Sequence, residues 1–99
     1  MAMTPEAKVK KAAVKQLKDI GAYYFYPVTG GYGGSGVPDI VGCYKGSFFG
    51  IECKAKKNKP TALQQKNLDA ITAAGGFALV VNEENMNLVG ELLTFYTGE

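Results

Sequence analysis

Apolar positions recur along this chain with two different periods. Val9, Ala13, Leu17 and Ile20 fall three or four residues apart and form one stripe of an amphipathic helix, with Lys8, Lys11, Lys15 and Lys18 as the solvated stripe. Thr4-Pro5-Glu6 supplies a hydroxyl cap, a proline at the first helical position and a first-turn acid, and Gly21 supplies the stop. Ala22 to Val28, with Tyr23, Tyr24, Phe25 and Tyr26, reads as a short aromatic strand broken by Pro27. Ile40 to Tyr44 and Phe48 to Ala55 read as two strands joined by a hairpin turn at Lys45-Gly46-Ser47. Alternation along the second places Phe49, Ile51, Cys53 and Ala55 on one face, and Phe48, Gly50, Glu52 and Lys54 on the other.

The helical period returns after Pro60. Thr61 caps a helix with Leu68, Ile71 and Ala74 facing inward, and Gly75-Gly76 ends it. Phe77 to Val81 is an unbroken apolar run, expected as a buried strand. Glu84 to about Phe95 predicts a closing helix with Met86, Val89, Leu92 and Leu93 inside. The order αβββαβ with a C-terminal helix predicts an α/β (α+β) domain.

At 99 residues, the length fits a single domain spanning 1–99. The apolar fraction of 46% and charged fraction of 20% are those of an ordinary globular protein. No apolar run nears the roughly 18 residues of a membrane span, and no signal-peptide core opens the chain, so a cytoplasmic location without membrane contact is expected. Cys43 and Cys53 both fall in predicted strands, outside any metal pattern, and read as small buried hydrophobes. Histidine is absent, which removes the commonest general base and zinc ligand. Hydrolytic chemistry would therefore fall to carboxylates, lysine and a hard metal.

Charge changes the picture further. Residues 1–66 hold all eleven basic residues, every one lysine, against four acids, for +7; residues 67–99 hold five acids and no base, for −5. A basic region on a small domain suits a polyanion such as nucleic acid, although a run of solvated lysines accounts for it equally well. With no arginine, bidentate reading of bases is disfavoured and contact with the phosphate backbone is favoured.

The candidate chemistry gathers where Thr29–Gly36, with five glycines in eight residues, leads into Val37-Pro38-Asp39. The segment is either a connector or a loop whose backbone N–H groups, at Gly33, Gly34 and Ser35, approach phosphate. Thirteen residues after Asp39 come Glu52-Cys53-Lys54, with Glu52 and Lys54 on one side of their strand. Two carboxylates beside an ammonium form the donor set of a metal-dependent phosphodiester hydrolase. Glu6, on the inward side of the first helix, is either a complement to the helix dipole or a third site acid. Thr61-x-x-Gln64 is a capping box, which by itself explains Gln64, yet Gln64 shares the face of Leu68 and Ile71.

Pro-Asp followed by Glu-X-Lys resembles the signature of the PD-(D/E)XK nuclease superfamily. Within it, Glu6 in the first helix, the glycine-rich lead into Pro38-Asp39, Glu52-Cys53-Lys54, Thr61-x-x-Gln64 and Gly75-Gly76 are similar to the VRR-NUC family over residues 4–82. The resemblance implies a restriction-endonuclease-like core with a mixed central sheet flanked by helices, and an Mg²⁺- or Mn²⁺-dependent DNA endonuclease. Glu6, Asp39, Glu52, Lys54 and Gln64 occupy its catalytic positions, and Asp39, Glu52, the Cys53 carbonyl and Glu6 its metal positions. Stand-alone members of the family, often viral, resemble Holliday junction resolvases and are expected to act as homodimers on branched DNA. Lys8, Lys11, Lys15, Lys56, Lys57 and Lys59 are the candidate backbone contacts.

Competing readings are a flap or single-strand nuclease, a sequence-specific nuclease, and a non-catalytic DNA-binding module. The second lacks spare length and arginine; the third leaves two acids facing phosphate without a purpose. Phe95, Tyr96 and the tyrosines of residues 23–26 read as core or as interface aromatics.

Overall fold

The structure is a computed structural model that describes residues 3–28 and 35–97. Thr4 Oγ1 accepts the Ala7 N–H at 3.1 Å and Pro5 fills the first turn, so α1 (Pro5–Ile20) begins at its cap; Gly21 ends it at φ 78. Next come β1 (Tyr23–Phe25), β2 (Ile40–Tyr44), β3 (Ser47–Cys53), α2 (Ala62–Ala73), β4 (Phe77–Val81) and α3 (Val89–Tyr96). The sheet runs β1-β2-β3-β4, antiparallel through its first two pairings and parallel between β3 and β4, with α2 as the crossover the parallel pair requires. The predicted αβββαβ order, mixed sheet and extra C-terminal helix are therefore present, with β3 central.

The β2–β3 turn differs from expectation in a way that sets the whole register. Lys45 (φ 52) and Gly46 (φ 84) are both left-handed, the conformation of a two-residue type I′ turn, and Tyr44 pairs with Ser47. Ser47 thus belongs to β3, not to the turn. β3 also ends at Cys53, two residues before the predicted Ala55.

Val9, Ala13 and Leu17 of α1 pack with Val89 and Leu93 of α3 onto Ile40, Phe49, Ile51, Cys53 and Val81. Gln16 ties the two helices together, its Nε2 donating to the Met86 carbonyl and its Oε1 accepting the Gly90 N–H at 3.0 Å. The other sheet face is covered by α2 over β3 and β4. Gly50 permits this: a side chain there would run into Ile71 Cδ1 at 2.5 Å and Pro38 Cγ at 3.1 Å. The rest of this face leaves Tyr23, Phe25, Cys43 and Phe48 exposed.

Several expectations are corrected. Cys43 is exposed rather than buried, because it pairs with Tyr23 and Phe48 on the uncovered part of the sheet. β1 keeps three of the seven residues expected, and β4 is half-buried over most of its length since it pairs with β3 alone among the described strands. Ala74, at the C-cap of α2, is exposed. The last helix starts at Val89, not Glu84, because Asn82 and Asn85 side chains take up the backbone groups before it. Tyr96 stacks on Phe77 at 4.6 Å and donates to the Gly75 and Gly76 carbonyls, whereas Phe95 is exposed. No helix among the described residues is long and apolar enough to cross a membrane.

Candidate active site

The hairpin register brings the acids together. Ile40 pairs with Ile51, so one step further along the antiparallel ladder Asp39 stands opposite Glu52. Like charges placed directly opposite repel. Asp39 is held in place nonetheless, since its Oδ2 accepts the Cys53 N–H at 2.9 Å. Gly50 lets Pro38 and Ile71 close over β3 two residues before Glu52, whose residual exposure is 2%.

Lys54 follows on the same face, its Nζ 3.6 Å from Glu52 Oε2. Its own N–H donates to the Val81 carbonyl at 2.9 Å, which fixes the chain just beyond β3. One ammonium thus faces two carboxylates. Burial, and next the charge of Asp39, push the Glu52 carboxyl up from 4.5 to about 7, with Lys54 pulling the other way. Burial and the same two acids push the Cys53 thiol up to about 12. Cys53 Sγ is therefore a protonated core group, and any contribution of Cys53 to the site comes from its main chain.

Among the described residues no group of three His, Cys, Asp or Glu side chains is placed to hold an ion. Asp39 and Glu52 meet as a pair with hard oxygen donors. That suits Mg²⁺ or Mn²⁺, which bind through one or two carboxylates and complete their shell with water and substrate phosphate. Glu6, the third acid expected there, lies apart on α1. It stays exposed in the first turn of α1, where its charge still raises Glu52 and Cys53 slightly.

The remaining predicted residues divide sharply. Gln64 Oε1 accepts the Thr61 N–H at 2.9 Å while Thr61 Oγ1 accepts the Gln64 N–H at 3.2 Å, so the capping box is formed and that oxygen is committed to it. Ser35 is reached by Asn67, whose Nδ2 donates to its carbonyl at 3.1 Å and pins the lead into Asp39 onto α2. Gly33 and Gly34 lie outside the described residues. Lys8, Lys11 and Lys15 line a shallow groove with Lys18 on the outer side of α1, across helix and sheet from the Glu52 face, and Lys15 is paired with Asp19 at 3.1 Å.

Lys10, not among the predicted contacts, is set apart from the other α1 lysines. It lies over the Tyr26 ring at 4.3 Å, and its charge lowers the Cys53 thiol pKa. Lys56, Lys57 and Lys59 line a cleft of about 630 Å³ together with Val80, Asn82 and Glu83. Lys56 and Lys57 are both left-handed, at φ 55 and 64, a conformation costing a non-glycine residue about 1 kcal/mol or more.

No protein-family model and no curated protein matches this chain.

Proposed function

We propose that the chain is a metal-dependent phosphodiester hydrolase. More specifically, we read it as a structure-selective DNA endonuclease, resolvase-like, acting on branched DNA as a homodimer in the cytoplasm. One observation carries the reading: Asp39 and Glu52 stand opposite each other at the end of the central hairpin with Lys54 beside them, one charge short of neutrality. A binding module gains nothing from a buried carboxylate facing phosphate.

Asp39, Glu52 and the Cys53 carbonyl are the groups that would hold Mg²⁺ or Mn²⁺. Bound there, such an ion supplies charge neutralisation at the phosphoryl oxygens and acidifies a bound water. The Cys53 N–H keeps Asp39 from swinging away from the strand end. Lys54 is held near Glu52 by attraction and by its backbone bond to Val81, where its ammonium orients water or meets charge on a phosphate oxygen. Gln64 acts first as the cap that fixes the start of α2 over this face. Two such sites related by a two-fold axis would make symmetric cuts in a four-way junction.

The test is cleavage of labelled four-way junction, flap and linear duplex with Mg²⁺, Mn²⁺ or EDTA. Asp39→Ala and Glu52→Ala are expected to reduce the rate at least about 10³-fold while leaving the circular-dichroism spectrum intact. Paired junction cuts with a dimer by sedimentation support the resolvase form, and cuts confined to flaps move the reading to end processing. Cleavage surviving in purified Asp39→Ala would sink it.

A further inference from the structure

The lysine-lined cleft follows Lys54 in the chain and borders the acid–lysine face at β4. Val80 forms part of its wall, and Val80 is the residue paired with Glu52 in the parallel β3–β4 ladder. Residues so paired project from the same side of the sheet. A nucleic-acid strand with one phosphate at Lys54 therefore meets Lys56, Lys57 and Lys59 as it leaves.

Those lysines are presented by a backbone that does not relax by itself. Two consecutive lysines in the left-handed region persist only where neighbouring structure holds them. Asn58 N–H closes a turn onto the Ala55 carbonyl at 3.0 Å, and the Lys56 N–H donates to Glu83 Oε2 at 3.0 Å. Glu83 is itself braced. Asn82 N–H donates to Asn85 Oδ1 at 2.8 Å, Glu84 N–H donates to Asn82 Oδ1 at 2.9 Å, and Asn85 Nδ2 donates to the Val80 carbonyl at 3.0 Å. The Glu83 carboxylate takes N–H groups from Lys56 and from its own residue, which lower its pKa. An exposed acid among lysines that would grip phosphate is electrostatically unhelpful, unless it is there to hold the loop. Glu84 also lines the cleft, so three lysines face two acids, one of them committed to backbone N–H groups.

We propose that this cleft is a subsite for a backbone phosphate adjacent to the one at Lys54, and that Glu83 is the positioning residue of its lysine loop. The subsite rests on the nuclease reading. The positioning role makes a prediction opposite in sign to simple charge counting.

The experiment measures anisotropy of labelled four-way junction across a salt series in EDTA, and steady-state cleavage in Mg²⁺. Replacing Lys56, Lys57 and Lys59 by alanine should flatten the salt dependence by about 0.9 in log–log slope for each phosphate no longer neutralised. Lys57→Gly keeps a residue at ease in the left-handed region, so its weakened binding isolates charge from loop geometry. Glu83→Ala should weaken binding by roughly three- to tenfold, although it removes a negative charge, because the lysines are no longer held towards the phosphate. It should raise KM with little change in kcat. Glu83→Gln removes the same charge but keeps an acceptor for the Lys56 N–H, and should recover most of the affinity. Glu83→Ala binding as tightly as the parent, or more tightly, overturns the positioning role. If the parent protein binds and cuts DNA while the lysine variants match it, the subsite alone falls; if the parent does neither, the nuclease reading falls and takes the subsite with it.

Discussion

The two faces of the central sheet are built from the same strand and behave in opposite ways. Phe49, Ile51 and Cys53 point into a closed layer beneath α1 and α3, with at most 1% of each exposed. Gly50, Glu52 and Lys54, interleaved with them, point to the face where α2 covers β3 and β4, and Tyr23, Phe25 and Phe48 stay in solvent. The closed face is optimised for burial, and the Cys53 thiol within it is held protonated. The other holds a charge imbalance that burial alone makes unfavourable. Stability is concentrated on one side of β3, and chemistry within about one residue's width on the other. A site so placed inherits the rigidity of the core without sharing its chemistry.

The largest effect expected comes from breaking the closed face. Phe49→Ala removes the largest fully buried side chain and should cost about 3–5 kcal/mol. Much of the stability of a domain this size would go with it. Tyr23→Ala, on the open face at 70% exposure, should stay under about 1 kcal/mol. Urea denaturation of the two variants measures both. Equal losses would show that a covering layer hides Tyr23 in solution and that the faces are not so different.

A smaller effect sharpens the contrast through pH. The folded Glu52 carboxyl is raised from 4.5 to about 7, so between those values the folded state holds a proton that the unfolded state has lost. Stability in EDTA should therefore fall as pH rises through this window and level off above it. The shift corresponds to about 3 kcal/mol at most. Glu83, lowered instead, acts below 4.5 and does not offset it. Glu52→Gln should flatten the slope in thermal melts; an unchanged slope would mean that water reaches the carboxylate freely.

How much of this is legible in the sequence turns on one residue of register. Alternation alone identifies Glu52 and Lys54 as neighbours on one face, and the cap signals locate α1 and α2 correctly. With Ser47 counted into the turn, however, Asp39 would fall opposite Cys53, on the core side. The left-handed pair Lys45-Gly46 restores Asp39 to Glu52, and Lys at the first position of such a turn is a weak sequence signal. Lys10 and Glu83 are not legible as contributors. What makes them matter is Tyr26 beneath one and the Lys56 N–H beside the other, contacts across 16 and 27 residues that local periodicity does not encode. The start of α3 is misplaced by periodicity because Asn82 and Asn85 offer the backbone a competing set of partners.

The two cysteines give the finest test of the comparison, because they report from opposite faces without any substitution. Cys43 is exposed beside Phe48 on the open face; Cys53 is buried beneath α1 with its thiol pushed up to about 12 by burial and by Asp39 and Glu52. The thiolate is the reactive form, so Cys53 is protected twice, by access and by protonation. An aromatic disulfide reagent at pH 8 should take up one equivalent rapidly in native protein and two in denaturant. Slow reaction of the second thiol then measures opening of the closed face, since Cys53 is reached only when β3 leaves α1. Its rate should rise in Phe49→Ala and stay unchanged in Tyr23→Ala. Two fast equivalents in the parent protein would mean that β3 is not sealed on its core side, and that the division between a structural face and a chemical one does not hold.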